Sequence, residues 1–335
     1  MPRRALRSTA GPGRGGRVRR LAAIDIGTVT TRLLVADVSA EAITEVERST
    51  DITHLGEGLG ESGTLGEAAM QRVAEVAAGY ASAMERLGVE RYTAVATSAS
   101  RDAANGDRFV ELLAKAGIQV SVIEGSREAE LAFSGATAET QGEGILVVDC
   151  GGGSTELVFG DASLVDGVRG VDIGSARSVD VGSRRLTDAF LASDPPTRSE
   201  LDAARANVVA EMRPYFDRLG ERPGCMLALA GTATTLAAIK LGLERYDAEA
   251  VHGLEISGSE LADMVAMLAA LPLKRRLEVV GLHPQRAGVI VAGALILETV
   301  LALSGLDRLV VSEHDILYGI LIDTYRDLQE SGGGT

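Results

Sequence analysis

The sequence predicts an α/β fold built from two similar halves around a cleft. Strand-like and helix-like segments alternate along the 335 residues, which is typical of parallel strands with helices on both faces of a sheet. One turn occurs twice, 124 positions apart, in LAAIDIGTVTTRLLVADV and in ILVVDCGGGSTELVFGDA. The length suits two domains of ordinary size. Because the repeated turn marks corresponding points of two halves, the cleft between them is the expected ligand site.

Each copy of the repeated turn joins two apolar runs through Asp-x-Gly and small hydroxylated residues. The copies begin at Asp25 and Asp149, and each has a long polar residue seven positions later, Arg32 or Glu156. Such runs around a glycine turn predict a β-hairpin. Successive N–H groups in a glycine turn can bind an anion, and an Asp at its mouth can hold Mg²⁺ through water. Two facing hairpins would grip a phosphate chain, whereas a lone copy would be only a tight turn.

In the first half, three helices are predicted to follow the hairpin, separated by the strands YTAVATSAS and IQVSVIEG. The helices are expected at about 64–87, at 101–116 and from 126 onward. Their starts are predicted from the capping box Thr64-x-x-Glu67, from Ser100 and from Ser126.

The second half repeats the alternation, with a strand-like segment up to Val179 and the strands CMLALAG and RLVVS. Helices are expected near 183–193, 197–218, 232–241, 257–271, 273–280 and 284–304, and from about 316. The long apolar run from Gly288 is interrupted by Glu298, so it predicts a buried helix and not a membrane span.

Composition restricts the class of protein. The formal net charge is −14, and residues 1–20 contain seven Arg and no acid, so the remainder carries −21. A chain this acidic is a poor general nucleic-acid binder. Residues 1–20 are also rich in Gly and Pro, which predicts a disordered basic tail, and they lack the apolar stretch of a secretory signal.

The two cysteines, Cys150 and Cys225, form no Cys-x-x-Cys pair. This argues against a zinc site and a disulfide framework, and it indicates a reducing, cytoplasmic compartment. Cys150 is expected to be a small buried residue. The four histidines show no metal-like spacing, and two of them are interpreted as packing or supporting residues: His283 and His314.

Further segments place charged or donor groups where an anion could bind. In ATSASRDAANG, helix N–H donors and Arg101 meet at a strand-to-helix junction, which suits an oxyanion, with a plain surface Arg as the alternative. Glu128, in the first turn of a helix, is either catalytic or complements the helix dipole. Gly231 and Thr232 lie at another strand-to-helix junction, and Arg286 lies at a helix start. The segment SARSVDVGSRRLTD contributes Arg177, Arg184 and Arg185, of which Arg184 and Arg185 could equally be solvated.

Taken together, these segments resemble the exopolyphosphatase/guanosine pentaphosphate phosphohydrolase (Ppx/GppA) family of the sugar kinase–actin–Hsp70 superfamily. The matching segments run in the family's order from residue 21 to about 321: DIGTVTTRLLV, ATSASRDAANG, VIEGSREAELAFSG, VVDCGGGSTELV, DVGSRRLTD, LAGTATTLAA, HPQRAGVIVAGALIL and VSEHDILYGI. The strings D-x-G-G-G-S-T-E and T-S-A-x-R-D-A are the most specific of these.

The resemblance implies two actin-like (ribonuclease H-like) domains, 21–135 and 136–311, in the short two-domain form. A C-terminal helix at about 312–330 would pack back on the first domain. The cleft would bind inorganic polyphosphate or guanosine penta- or tetraphosphate, with Mg²⁺ or alternatively Mn²⁺. No nucleic acid or membrane partner is expected, and a homodimer is the default for a soluble enzyme.

The resemblance also assigns roles to residues. The family's Gly-x-Glu-Glu-Ala motif corresponds to Gly125-Ser126-Arg127-Glu128-Ala129, which makes Glu128 the expected base. Asp149 and Glu156 are further catalytic residues and, with Asp25, the expected metal ligands. The expected phosphate-binding set is Asp25, Gly27, Thr28, Arg32, Ser98, Arg101, Gly151, Gly152, Gly153, Ser154, Thr155, Gly231, Thr232 and Arg286.

The expected function is therefore hydrolysis of the terminal phosphoanhydride of polyphosphate. Guanosine pentaphosphate is the alternative substrate, because it presents the same terminal bond. A polyphosphate- or guanosine polyphosphate-binding sensor without turnover is a further alternative, since Arg127 and Val29 depart from the family pattern. A sugar or acetate kinase would need an acceptor-side Asp base, and no acceptor motif is visible.

Overall fold

The computed structural model describes residues 17–165 and 168–332. Its strands are β1 (Arg19–Ile26), β2 (Thr30–Val38), β3 (Ile43–Ile52), β4 (Arg91–Ala96), β5 (Ser121–Val122), β6 (Gly142–Cys150), β7 (Thr155–Val165), β8 (Val168–Val179), β9 (Cys225–Leu229), β10 (Glu255–Ser257) and β11 (Arg308–Val311). Residues 1–16 of the predicted tail lie outside the described residues, and β1 begins at Arg19, before the predicted end of that tail.

The helices alternate with these strands. They are α1 (Leu59–Ser62), α2 (Glu67–Leu87), α3 (Ser98–Asp102), α4 (Gly106–Lys115), α5 (Gly125–Ala136), α6 (Ser183–Phe190), α7 (Arg198–Phe216), α8 (Ala230–Leu241), α9 (Ala248–Val251), α10 (Gly258–Ala270), α11 (Leu273–Arg276), α12 (Ile290–Ser304) and α13 (Ile316–Gly332), with a 3₁₀ turn at Pro284–Arg286.

The two sheets share one topology. The first has the order β3-β2-β1-β4-β5, and the second has the order β10-β11-β9-β6-β7-β8. In each sheet an antiparallel hairpin, β1–β2 or β6–β7, is joined to a third antiparallel strand and, on its other side, to parallel strands. The second sheet therefore repeats the first and adds β10 at its edge. The predicted α/β fold with two similar halves and a repeated hairpin is confirmed.

Helices cover both faces of both sheets. On the first sheet, α2 and α4 bury one face around Phe109, and α13 packs on the other face through Leu317 and Leu321. On the second sheet, α5 packs on one face through Phe133, and α7, α8, α10 and α12 fill the other around Leu295. Helices α5 and α13 thus form the layer between the two sheets.

The crossing of α5 and α13 is close enough to require glycine on both helices. A Cβ atom on Gly135 would lie 1.8 Å from the carbonyl oxygen of Asp315, and one on Gly319 would lie 1.9 Å from that of Leu131. These separations are far below van der Waals contact, so the backbones touch directly. The position of α5 is therefore set by α13.

Several predicted helix starts are wrong. Thr64 forms no capping box, because α2 begins after Gly66, which has no side-chain cap. Ser100 lies inside α3, since the chain turns into a helix directly at the end of β4, and α4 begins separately at Gly106. Helix α5 begins one residue before Ser126.

The long apolar run forms α12, which is buried along nearly its whole length, as predicted. The carboxylate of Glu298, the charged residue inside it, lies 2.6 Å from Arg205 on α7. Among the residues that the structure describes, no helix combines the length and the apolar character needed to cross a bilayer.

Replacement of Gly319 with Ala is expected to lower the free energy of unfolding by about 1–3 kcal/mol, because α13 would have to move away from α5. Urea titration measures this. Gly79→Ala is the matched control: it lies in α2 with nothing within 4 Å of the added Cβ, and it should stabilise by about 0.5–1 kcal/mol. Equal effects of the two substitutions would contradict the close crossing.

Candidate active site

The two hairpins place their polar residues at matching positions. Asp25 pairs directly across the first hairpin with Arg32, and Asp149 pairs across the second with Glu156. Side chains of directly opposed residues lie side by side on one face of a sheet. The seven-residue spacing in the sequence is thus the register of a hairpin, and it brings two charged side chains together in each half.

The turns of the two hairpins touch each other. A Cβ on Gly152 would lie 2.5 Å from Val29 Cγ2, and a Cβ on Gly153 would lie 2.5 Å from Ser98 Oγ and 2.6 Å from Thr28 Oγ1. The small size of Gly152 and Gly153 therefore lets the two halves meet. Val29, which departs from the family pattern, fills the space beside Gly152.

Several expected phosphate ligands are engaged within the protein. The N–H groups of Gly27 and Gly151 donate to Thr30 and Ser154 and close their own turns, at 2.8 and 3.0 Å. The hydroxyl of Thr155 donates to a backbone carbonyl at 2.6 Å.

The side chain of Thr232 is also turned away from a ligand. It lies against Gly293, where an added Cβ would come 2.5 Å from its hydroxyl, and it hydrogen-bonds Cys150. Cys150 is buried, as predicted, and burial raises the pKa of its thiol to about 12. Thr232 therefore supports the core beneath the junction between β9 and α8.

Five carboxylates are buried close together between the halves. Each is less than one-tenth exposed: Asp25, Glu128, Asp149, Glu156 and Asp315. Asp315, just before α13, was not among the predicted residues. Its segment, VSEHDILYGI, was quoted in the resemblance, and that was the only signal for it.

Burial and mutual repulsion perturb these acids. Burial raises the pKa of Asp25, and it raises the pKa values of Glu128 and Asp149 well above their ordinary range, with repulsion from Glu156 as the next cause for both. Burial raises the pKa of Glu156 to about 7, although Ser178 donates a hydrogen bond of 2.8 Å to it. Buried like charges of this kind are typical of functional sites.

Arg32 is clamped between two of the carboxylates. Its Nη2 lies 2.6 Å from Asp25 Oδ2, and its Nη1 forms a second ion pair with Asp315. Burial alone would lower the pKa of Arg32, but the surrounding carboxylates, Asp315 foremost, raise it. Because its donors face carboxylates, Arg32 holds the site together in this arrangement and does not present a free guanidinium to phosphate.

Arg101 lies beside the expected base. Its Nη1 donates 2.9 Å to the carbonyl of Ile123 and lies 3.4 Å from Glu128 Oε2. Ser98, in the same short helix, lies 3.4 Å from Asp102. The guanidinium therefore reaches the carboxylate cluster from the first half of the molecule.

Arg286 is the available cation of the site. Within the described part of the chain its guanidinium forms no hydrogen bond or ion pair, although Tyr246 and Glu313 lie near enough to raise its pKa, and it packs on Gly231, where a Cβ would lie 1.0 Å from Nη1. Burial, with repulsion from Arg32, lowers the pKa of Arg286 to about 10, so it stays charged at neutral pH. Gly231 lies in the first turn of α8, which has no side-chain cap, so helix N–H groups and a cation point at one place.

A cavity of about 1030 Å³ opens between the halves next to Arg286. Arg32, Gly231 and Arg286 line it, together with Asp315. The other four buried carboxylates are not among its lining residues, so they lie behind the ion pairs of Arg32. The wall also includes Tyr246 and apolar side chains, so the cavity is lined by both charged and apolar groups.

Two arginines of the SRR segment bridge the halves. Arg184 lies 2.9 Å from Nδ1 of His54, and Arg185 donates 2.8 Å to the carbonyl of Gly153 and forms an ion pair with Asp102. Neither side chain is simply solvated. These contacts close the cleft on the side of the hairpin turns.

The carboxylate cluster fits Mg²⁺ by the chemistry of its donors, because Mg²⁺ prefers oxygen ligands and keeps several waters. Asp25, Asp149 and Glu156 do not bring three ligand atoms within 4.8 Å of one another. The arrangement therefore suits an ion held partly through water. The raised pKa values of Glu128 and Asp149 follow first from burial and then from repulsion by neighbouring carboxylates, and a bound cation would relieve that repulsion.

The chain belongs to the Ppx/GppA phosphatase family, whose model matches residues 34–326. It is 38% identical to exopolyphosphatase 2 of Mycobacterium tuberculosis, over 90% of this chain and 98% of that protein. It is 26% identical to a guanosine-5'-triphosphate,3'-diphosphate pyrophosphatase of Aliivibrio fischeri, over 92% of this chain and 60% of that protein.

Among solved structures, the Aquifex aeolicus family member superposes with a TM-score of 0.77 at 29% identity, covering 93% of this chain and 99% of that one. The fold is therefore that of the solved structures of the family, and the protein is a phosphoanhydride hydrolase by class.

In the presence of a metal chelator, replacement of Glu156 with Gln is expected to reduce the pH dependence of the free energy of unfolding. The pKa of Glu156 rises from 4.5 to about 7 on folding, so the native state binds more protons than the unfolded chain between those values. The free energy of unfolding should therefore fall as pH rises through this window, by about 3 kcal/mol from this group. Urea titrations from pH 5 to 8 measure the slope, and Glu111→Gln, at an exposed position, should keep it. A wild-type slope in Glu156→Gln would contradict the assignment.

Proposed function

We propose that this protein is an exopolyphosphatase that hydrolyses the terminal phosphoanhydride of inorganic polyphosphate and releases orthophosphate. The observation that carries the proposal is the cluster of five buried carboxylates, one of which, Asp315, lines the same cavity as the guanidinium of Arg286. The cavity therefore has a cation beside an acidic cluster. Such a cleft suits a polyanion that arrives with a divalent cation.

Glu128 is the proposed general base. It is buried, and burial and the neighbouring carboxylates raise its pKa well above its ordinary range, which makes its carboxylate a stronger base than that of an exposed Glu. Arg101, at 3.4 Å, opposes that rise and orients the carboxylate. Glu128 would take a proton from the attacking water, so the hydroxyl oxygen bonds to phosphorus as the bond to the leaving phosphate oxygen breaks.

Arg286 and the first turn of α8 are proposed to hold the phosphate chain. Their positive charge neutralises phosphate oxygens, and a guanidinium can bind two of them at once. Asp25, Asp149 and Glu156 would hold Mg²⁺ or Mn²⁺, partly through water. When bound, this ion would neutralise charge on the transferred phosphoryl group.

Guanosine pentaphosphate is the second candidate substrate. The cavity beside Arg286 has a volume of about 1030 Å³ and contains an aromatic ring, Tyr246, with threonine and apolar groups. Its lining carries both Arg and carboxylate side chains, which is less basic than a channel for polyphosphate alone would require. An organic moiety attached to the phosphate chain would fit such a wall.

The departure at Arg127 bears on the sensor alternative. Arg127 lies half-exposed on α5, pairs with Glu130 at 3.0 Å and forms an ion pair with Asp323 on α13. Arg127 is therefore engaged by Glu130 and Asp323, and the cation beside Glu128 is Arg101, which supports turnover. We further propose a cytoplasmic homodimer, which light scattering of the purified protein would test.

Replacement of Glu128 with Gln is expected to reduce phosphate release by about 10²–10⁴-fold, because proton transfer from the water is lost. Phosphate is measured with Mg²⁺ and three substrates in parallel: short polyphosphate, long polyphosphate and guanosine pentaphosphate. Glu130→Gln, on the same helix but exposed, is the matched control. Undiminished release by Glu128→Gln would assign the base elsewhere, and tight binding without release by the wild type would favour a sensor.

Replacement of Arg286 with Gln is expected to raise KM by about 10–150-fold, the loss of a charged hydrogen bond of about 1.5–3 kcal/mol, with a smaller change in kcat. Steady-state kinetics on polyphosphate measures the split. Arg108→Gln, an exposed residue paired with Glu67, should leave both constants unchanged. A fall in kcat with an unchanged KM would contradict this, because it would mean that Arg286 stabilises the transition state and does not contribute to binding of the substrate.

A further inference from the structure

Glu139, His252 and His314 come together outside the active site, although no two of them are close in the sequence. Their ligand atoms all lie within 4.8 Å of one another, and among the described residues this is the only such group of three. We propose that these three residues form a binding site for Zn²⁺ that is separate from the carboxylate cluster.

The residues come from three different segments. Glu139 follows α5, His252 directly follows α9, and His314 lies between β11 and α13. The two imidazole rings are 4.5 Å apart between centroids and tilted by 36°. Two atoms bound to one zinc ion are at most about 4.2 Å apart, so small side-chain rotations bring the three ligand atoms into a common shell.

A second observation points to a ligand at this place. Nδ1 of His314 is buried and has no hydrogen-bond partner, which is uncommon for a polar atom. One face of its ring stacks on Tyr318 at 4.1 Å, and His252 lies 4.5 Å away, so the ring is held in place. A fixed imidazole with an unsatisfied nitrogen is well prepared to accept a metal ion.

His252 can join the shell at a small cost. Its Nδ1 accepts a hydrogen bond of 3.2 Å from the backbone N–H of Glu313, and metal binding by this ring requires that bond to be given up. The pair is exposed, so water can replace the bond. Burial and the neighbouring His252 also lower the pKa of His314, which leaves its ring neutral, the form that binds a metal.

The donor set selects the ion. Two imidazole nitrogens and one carboxylate oxygen are typical of zinc and similar late transition metals, whereas Mg²⁺ prefers oxygen ligands. Glu45 adds a nearby negative charge and Arg48 an opposing positive one. Two of the three ligands, Glu139 and His252, are exposed, which leaves room for water to complete the coordination.

An ion at this site would tie the segment after α5 and the end of α9 to the segment that carries Asp315. That segment holds Arg32 through the ion pair of Asp315. The expected role is therefore to stabilise the junction of the three segments, and no part in proton transfer is assigned to it.

Titration of the full-length, chelator-stripped protein with Zn²⁺ by calorimetry tests the proposal, and the visible spectrum of Co²⁺ reports nitrogen ligands in a low-coordinate site. In excess Mg²⁺, which would occupy the carboxylate cluster, wild-type protein should bind one Zn²⁺ ion. The affinity should fall by at least the roughly 10–100-fold that loss of an outer-shell partner costs, both in His314→Ala and in the double substitution Glu139→Gln/His252→Ala. The double variant changes only exposed side chains, so it should fold even where His314→Ala does not.

Two controls separate this site from others. His283→Ala removes an exposed histidine outside the cluster and should leave the affinity unchanged. Asp149→Asn disrupts the active-site carboxylates and should also leave it unchanged. The proposal is overturned if no zinc binds, or if binding survives the double substitution and is lost in Asp149→Asn.

Discussion

The ion pairs of Arg32 with Asp25 and Asp315 are the interaction on which the rest of the site depends. Asp25 reaches Arg32 across a hairpin, and Asp315 reaches it from 283 positions away in the chain. All three side chains are mostly buried, so removal of one partner would leave a charge without compensation. The clamp fixes the start of α13 to the first hairpin. Through the crossing at Gly319, α13 in turn fixes α5 and with it Glu128.

The two halves share one topology, but their hairpins carry different pairs of charges. At equivalent register positions, the first hairpin pairs Asp25 with Arg32, whereas the second pairs Asp149 with Glu156. The first pair largely neutralises itself. The second places two buried acids side by side, and burial raises the pKa values of both. Arg286 and Gly231, in the first turn of α8, line the cavity together with Asp315, so a cation and helix N–H groups lie beside one member of the acidic cluster.

The parts of the fold that were predictable are those specified by local patterns. Hairpin turns and apolar strands were found, but β3 was not, because its sequence ITEVERSTDI carries charges and forms an edge against β2. Capping signals also failed where the chain turned into a helix directly from a strand, as at Ser100. In the site, the acids that stand in compact motifs were identified. Asp315 was not, because its role rests on a contact with Arg32 that no local pattern encodes.

The sequence by itself determined the α/β class, the twofold repeat, the family and four of the five buried acids, because strand periodicity and turn chemistry act over a few residues. Only the tertiary structure decided that Arg32 is occupied by carboxylates while Arg286 is free. It also decided that His252 and His314 lie beside Glu139, where spacing in the sequence had indicated no metal site. The physical reason is that side chains from distant segments acquire their partners only when sheets and helices pack.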